Sequence, residues 1–292
     1  MNYSQLLTSL SQTFIDQDKY LFDKHVPEFK KDGVFLADFF SQLAVEPLGD
    51  KPPRFYHTFS PYDVVSNKAP QQAVIFEDGK LLLNIDFDNY VAMRTAAMSA
   101  VVLKGLGIES LQDKKVLLFG AGKMATQSVK ILGSELGLTH LDIVNKSGDL
   151  GAIKSNTDGV VIKTGSLDTI GQYDVIICHT QADGPVISKA QVGDIKKGAV
   201  LASFISSTEH GEFPDEIYES SKANIIADWQ QTLVGAKDLK RAMDAQYFKE
   251  ADLLYVKDLL TTNKQVDSDK QYTVYRSVGT PIQNLAVLKL LI

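Results

Sequence analysis

One cysteine in 292 residues, Cys178, excludes a disulfide within the chain and fits a reducing compartment. A dominant charge of one sign is also missing. The 30 lysines and arginines stand against 36 aspartates and glutamates, and the net charge of −6 is spread along the chain. That balance points to neither nucleic acid nor an anionic membrane surface as a partner. No apolar run approaches the ~20 residues that span a bilayer. The opening Met1-Asn2-Tyr3-Ser4-Gln5-Leu6-Leu7 lacks a basic start leading into an apolar core, so no signal peptide is expected and the expected location is cytoplasmic. The histidines, His25, His57, His140, His179 and His210, show no ligand spacing such as H-x-x-x-H, and no metal is expected.

What the chain does have is a strand, a glycine turn and a helix in immediate succession. Lys115-Val116-Leu117-Leu118-Phe119 is a short apolar run that stops at Gly120-Ala121-Gly122-Lys123-Met124-Ala125. Beyond it Met124, Val129, Leu132 and Leu136 recur at helical spacing until Gly137, a residue suited to a C-terminal cap. Gly120 permits the turn, and Gly122 lets backbone amides approach a pyrophosphate at the helix N-terminus, where the free N–H groups and the dipole favour an anion. Ala125 fills the third position with a small residue that allows close packing of helix on strand. Gly120, Ala121, Gly122, Lys123 and Met124 are therefore the candidate dinucleotide-binding residues.

The end of the next strand bears on the choice of nucleotide. A chain that binds NAD usually carries Asp or Glu there, on the ribose hydroxyls. Here the strand 141–144 runs into Asn145-Lys146-Ser147, which is neutral, cationic and hydroxylated in turn. That set accepts a 2′-phosphate, so NADP is expected, with NAD possible; the plain alternative is a Lys146 that points to solvent.

From 115 to about 230 strands and helices alternate, the mark of a doubly wound parallel sheet. Strands are expected at Val116–Phe119, 141–144, 174–178, 199–204 and 224–227. Gly148-Asp149-Leu150-Gly151 makes a poor helix, so the second crossover is expected to be shortened. Asn156-Thr157-Asp158-Gly159 has the look of a substrate motif of shikimate dehydrogenases, but it follows the glycine turn instead of preceding it and is taken as chance. Ahead of the sheet, Leu6, Leu10 and Phe14 predict a helix over 3–16, and Phe35, Leu36, Phe39, Phe40 and Leu43 predict another over 33–45. Arg54 to Phe59 alternates as an aromatic strand. Ala73 to Glu77, Asp78-Gly79 and Leu81 to Ile85 read as a hairpin with a type I′ turn. Asp88 or Asn89 caps a small, apolar helix over 90–106. At the far end Thr280 and Pro281 read as N-cap and first residue of a closing helix whose apolar face needs a partner.

Two charged residues stand out against these patterns. Arg94 interrupts the buried helix. It either reaches solvent or a carboxylate, or it binds an anion such as a substrate carboxylate from a rigid element. Asp228 follows the apolar strand 224–227 beside Trp229, the chain's only tryptophan. In an open parallel sheet that end faces the ligand crevice, and partial desolvation would bring the carboxyl towards proton-transfer work. The bland alternative is a helix cap acting on Gln230 and Gln231. Cys178 reads as core and His179, at a strand end, as a ring-edge contact beside the cofactor.

Together Met93-Arg94-Thr95-Ala96-Ala97, Phe119-Gly120-Ala121-Gly122, Ile226-Ala227-Asp228 and Tyr275-Arg276-Ser277-Val278-Gly279-Thr280-Pro281-Ile282-Gln283-Asn284 resemble the ornithine cyclodeaminase/mu-crystallin family over roughly residues 50–292. The resemblance implies an α/β fold: a Rossmann-type doubly wound parallel sheet, 113–279, inserted in a smaller α+β substrate-binding and dimerisation domain, 1–112 plus 280–292, and a homodimer formed through the latter. It implies an NAD(P)H-dependent oxidoreductase of a small amino or imino acid, with hydride transfer at the α-carbon. The alternatives it leaves are ornithine cyclodeaminase, in which NAD is regenerated, and a non-catalytic NADP-dependent binding protein of the crystallin type. By the same resemblance Arg94 is the carboxylate-binding arginine and Asp228 the catalytic aspartate, while Ser277, Val278 and Gly279 form the loop beside the nicotinamide. Arg54 is the candidate second carboxylate arginine. Lys68 is the candidate substrate lysine, in a segment that is shortened here; a surface lysine is its plain alternative. Asn284 stands where the family often has aspartate.

Overall fold

Two glycine-bounded patterns in the sequence, one of period two and one of strand–helix alternation, become two sheets in the computed structural model. The structure describes residues 1–25, 28–31, 34–63, 71–182, 184–204, 211–261 and 266–292. They divide into one unit of Met1–Arg94 with Thr280–Ile292 and another of Thr95–Gly279. The first unit is thus discontinuous in sequence, and the second is inserted in it.

In the first unit an antiparallel sheet contains β1 (Leu21–His25), β2 (Glu28–Lys31), β3 (Val34–Leu48), β4 (Lys51–Asp63), β5 (Gln72–Glu77) and β6 (Lys80–Asp86), in the order β1-β3-β4-β5-β6 with β2 also on β3. The β5–β6 turn is the expected hairpin, with positive φ at both Asp78 (50°) and Gly79 (68°). Helix α1 (Tyr3–Ile15) starts where Asn2 caps it and buries Leu6, Leu10 and Phe14. The closing helix Pro281–Leu288 begins at Thr280, whose hydroxyl accepts from the Gln283 amide. It finds its partner in α1, where Ser9 Oγ donates to the Ala286 carbonyl at 2.7 Å.

The helix expected over 33–45 does not form. The described part of that stretch, 34–45, lies in β3, which pairs with β1 on one side and β4 on the other. Gln42 and Ala44 turn inward while Ser41, Leu43 and Val45 stay half-exposed, a period of two. Five apolar residues close together satisfied either period, and ladders on both edges decided for the strand.

The second unit carries β7 (Val116–Phe119), β8 (His140–Val144), β9 (Val161–Thr164), β10 (Val175–Cys178), β11 (Ala199–Ser203), β12 (Ala223–Ala227), β13 (Leu253–Tyr255) and β14 (Tyr272–Arg276). They pair in parallel in the order β13-β12-β14-β11-β10-β7-β8-β9. All four residues of β7 and all four of β10 are buried, as strands covered on both faces must be. The glycine turn leads into α3 (Lys123–Leu136), which ends at Gly137 with φ 65°. The second crossover is indeed short, the single turn Gly151–Ser155. The buried helix α2 (Asp88–Gly105) contains the point where the first unit gives way to the second. Among the described residues no helix is long and apolar enough to cross a membrane.

Candidate functional site

Strand order and register assemble the site of the second unit. The chain runs β7, β8, β9 towards one edge, then returns to place β10 on the other side of β7. At such a reversal the carboxyl ends of the strands open a crevice where ligands bind. The register puts Phe119, Cys178, Ser203, Arg276 and Ala227 level across β7, β10, β11, β14 and β12. One residue further on, Gly120, His179, Phe204, Ser277 and Asp228 line the carboxyl edge.

The glycine turn fits a dinucleotide on its own geometry. Gly120 has φ 99°, and a Cβ there would stand 2.3 Å from the His179 carbonyl oxygen, so no other residue is accommodated. Gly122 is the N-cap of α3 without any side-chain cap, and a Cβ on it would meet nothing within 4 Å. A phosphate can therefore approach the backbone amides of the helix start directly. Gly122 and Lys123 are exposed, Ala121 and Met124 half-buried, and Ala125 fully buried against the strand.

Past β8, Asn145 folds its own loop. Its Nδ2 donates to Ser147 Oγ at 3.1 Å and to the Asp149 carbonyl at 2.8 Å. Ser147 Oγ also accepts from the Asp149 amide, so its own O–H is left to donate outward. Lys146 is exposed. The acidic side chain nearest in sequence on the strand, Asp142, is engaged by the Tyr173 hydroxyl at 2.9 Å.

Asp228 is fully buried. Its Oδ1 accepts from the Tyr275 hydroxyl, and its Oδ2 from Ser277 Oγ at 2.7 Å and the Val278 amide at 3.3 Å. The capping alternative is not realised, because the following helix Thr232–Gly235 takes Gln231 as its N-cap. Ser277, Val278 and Gly279 are all buried, and Gly279 has φ 67°. The loop is held from beneath by Arg276, which donates Nη1 to the Ser277 carbonyl at 2.6 Å and grips Asp238 with Nε and Nη2 at 2.9 Å each. Burial alone would raise the Asp238 carboxyl, but Arg276 beside it outweighs that and holds it below its ordinary value. Tyr218 donates to the same carboxylate at 2.9 Å. A second buried carboxylate, Glu212, ties the ends of β10 and β11 by accepting from Thr180 N (2.7 Å), Thr180 Oγ1 (2.7 Å), Ser203 Oγ (2.8 Å) and Phe204 N (3.2 Å).

His179 departs from expectation. The residue is 6% exposed, its Nε2 lies 2.6 Å from Ser128 Oγ, and its ring packs on Phe204 at 4.7 Å, so protein groups surround the ring. Burial pulls its pKa down to about 3. Cys178 is buried in the core, and burial pushes its thiol up.

The expected substrate residues lie in the first unit. Arg94 is 4% exposed, which rules out the solvent-reaching reading. It donates Nη1 to Gln283 Oε1 at 2.5 Å and Nε to Asn284 Oδ1 at 3.0 Å. Asn284 in turn donates to Gln42 Oε1 at 2.5 Å and Thr58 Oγ1 at 2.8 Å. Neutral amides thus orient this guanidinium. Arg54 lies on β4 and is engaged by Glu77 Oε2 through Nε (2.8 Å) and Nη2 (2.5 Å), with Tyr56 and Glu46 alongside. That is an ion pair across the sheet, and a substrate carboxylate would have to compete with it. Lys68 lies outside the described residues. Among the described residues no cluster of metal-ligating side chains gathers.

Sequence reasoning missed Ser128, Glu212, Tyr218, Asp238 and Tyr275. Only one had a readable signal: a charge such as Arg276 inside the strand pattern Tyr272-Thr273-Val274-Tyr275 requires a counter-ion. Which of the 36 acids supplies it is not a local property.

A family model described as the ornithine cyclodeaminase/mu-crystallin family matches residues 73–292. Delta(1)-pyrroline-2-carboxylate reductase of Bacillus cereus is 22% identical over 224 residues, 74% of this chain and 67% of that protein. Among solved structures, a probable ornithine cyclodeaminase from Bordetella pertussis Tohama I superposes with a TM-score of 0.82 at 19% identity, covering 99% of this chain and 91% of the other. Thermococcus litoralis Delta(1)-pyrroline-2-carboxylate reductase in complex with NADH and L-proline gives 0.83 at 17% identity, covering 99% and 92%. At these identities the solved structures establish the fold.

Proposed function

The chain belongs to the ornithine cyclodeaminase/mu-crystallin family, and on that premise we propose that it is an NAD(P)H-dependent reductase of small imino acids. The observation that carries this reading is Asp228: a fully buried carboxylate, held on both oxygens, on the same sheet edge as the glycine turn. A curated relative named as a reductase of a cyclic imino acid supports the substrate class.

Gly120, Gly122 and the first amides of α3 would hold the pyrophosphate, and Ser277 to Gly279 would lie beside the nicotinamide. The bound cofactor supplies hydride to the carbon of the C=N bond. The chain's own part is the proton. Asp228 accepts hydrogen bonds on both oxygens, Oδ1 from the Tyr275 hydroxyl and Oδ2 from Ser277 and Val278, and is the group assigned to give the proton to the imine nitrogen. Arg94, oriented by Gln283 and Asn284, is the group assigned to the substrate carboxylate. NADPH is the preferred donor, because Lys146 and the outward hydroxyl of Ser147 replace the acidic residue that would meet a ribose 2′-hydroxyl and repel a 2′-phosphate.

The working form is a homodimer. On the outer face of the antiparallel sheet the register aligns Leu21, Val45, Phe55, Phe76 and Leu81 across five strands. Leu21, Phe55, Phe76 and Leu81 are 68, 40, 38 and 53% exposed, an apolar row that a second copy of the chain would cover.

The test is a screen of cyclic and linear imino acids with NADH and NADPH, followed at the nicotinamide absorbance. Turnover of at least one supports the reading. Nucleotide binding with no turnover of any imino acid, and with no conversion of ornithine, would leave the crystallin-type binder in its place.

A further inference from the structure

His179 stands at the reversal of strand order and makes three separate contacts with the strand–turn–helix that would carry the dinucleotide. Its amide donates to the Phe119 carbonyl at 2.9 Å, joining the last residue of β7 to the end of β10. Its carbonyl lies so close to Gly120 that a Cβ there would be 2.3 Å away. Its ring meets Ser128 Oγ at 2.6 Å, in the second turn of α3, with both side chains buried. One residue therefore touches the strand, the turn and the helix.

We infer that His179 is a positioning residue for the dinucleotide turn, acting through Ser128 as a strut that fixes the first amides of α3 for the pyrophosphate. The inference rests on the dinucleotide reading above. The N-cap of α3 is Gly122, which offers no side-chain cap, so the direction of its opening amides depends on how the helix is held further along. Nδ1 of His179 is buried and has no partner among the described residues. If Ser128 donates to Nε2, Nδ1–H is the one orphan. If Nε2–H donates instead, both the bare Nδ1 and the Ser128 hydroxyl lack a partner. The first tautomer leaves fewer groups unsatisfied and is the one assigned. A leucine would fill the same space against Phe204 with no orphan atom, so what the histidine adds is its bond to Ser128.

Three single variants and one double test this: His179→Leu keeps bulk and loses the bond, His179→Gln restores an amide group at the reach of Nε2, and Ser128→Ala removes the partner. Dissociation constants for NADPH and NADH are read by fluorescence titration beside melting temperatures. His179→Leu and Ser128→Ala should each weaken NADPH about tenfold, His179→Gln should recover most of it, and the double variant should be no weaker than either single one. Affinity within twofold of wild type in all variants, or additive losses in the double, overturns the strut, whatever happens to the melting temperature. Failure of the wild type to bind either nucleotide overturns the dinucleotide reading as well, which separates the two. Long-range nitrogen–proton NMR should show His179 neutral and Nδ1-protonated from pH 5 to 8; a titration in that interval also overturns it.

Discussion

Ser277 and Asp228 stand 49 positions apart in sequence and 2.7 Å apart in space, Oγ to Oδ2. They meet because β14, the last strand of the chain, is slotted between β11 and β12. The register Ala227 to Arg276 makes the two residues just beyond them neighbours on the carboxyl edge. The proposed proton donor and the loop proposed to lie beside the nicotinamide are thus one hydrogen-bonded unit.

Asp228→Asn should lower turnover ~100-fold or more while NADPH affinity stays within a few-fold. The substitution also turns an amide N–H₂ towards donors from Tyr275, Ser277 or Val278, so a loss of ~1–3 kcal/mol in stability is expected. Rate, nucleotide titration and urea midpoint are measured together. Near-normal turnover would end the catalytic assignment.

Lys146→Ala should weaken NADPH by about tenfold and leave NADH almost unchanged, since only the former carries the 2′-phosphate. Fluorescence titration of both nucleotides decides it. Equal losses would mean that Lys146 acts on something common to both.

Phe76→Lys and Leu81→Lys place charge in the apolar row of the outer sheet face, where the two residues are paired across β5 and β6. Wild type should sediment at twice the 32.1 kDa chain mass and the double variant at the single mass. A wild type of single mass at micromolar concentration would refute the dimer.

Acid should act on two buried groups in separate windows. His179 has its pKa pulled down to about 3 by burial, against ~6.5 unfolded. Between those values the unfolded chain binds a proton that the folded one does not, so stability falls as pH drops from ~6.5 towards 3, by at most ~1.4 kcal/mol per unit. Asp238 lies below its ordinary value because Arg276 outweighs its burial. Its contribution is fully present above ~3.9 and is lost as pH falls through the folded value. Urea midpoints of wild type and His179→Gln should lie close near pH 7 and diverge as pH falls towards 4, because the wild type loses stability that the variant, with no titrating ring, keeps; parallel pH slopes would refute this.

Arg276→Leu should cost ~3–5 kcal/mol, because it removes the cation beside the buried Asp238 carboxylate and leaves it the Tyr218 hydroxyl. Arg276→Leu combined with Asp238→Leu should cost less than the single change, as both charges then go. Thermal melts measure the first effect, and a double variant less stable than Arg276→Leu would show that the pair is not the main term.

The sequence determined what depends on near neighbours. The Asp78-Gly79 turn, the Thr280-Pro281 helix start, the glycine turn before α3 and its end at Gly137 all follow from φ preferences and caps that act within a few residues. Parallel strands covered on both faces were also readable, because each such strand must be apolar throughout. Tertiary structure decided the rest. It made 34–48 a strand by supplying a ladder on each edge, where the apolar spacing alone had allowed a helix. It slotted β14 beside β12, chose Asp238 as the counter-ion of Arg276, gave Arg54 to Glu77, and buried the His179 ring against Ser128. Caps and turns satisfy their own hydrogen bonds locally, whereas a strand edge, a buried charge or a buried ring nitrogen is satisfied only by a group that the folded chain brings from far away.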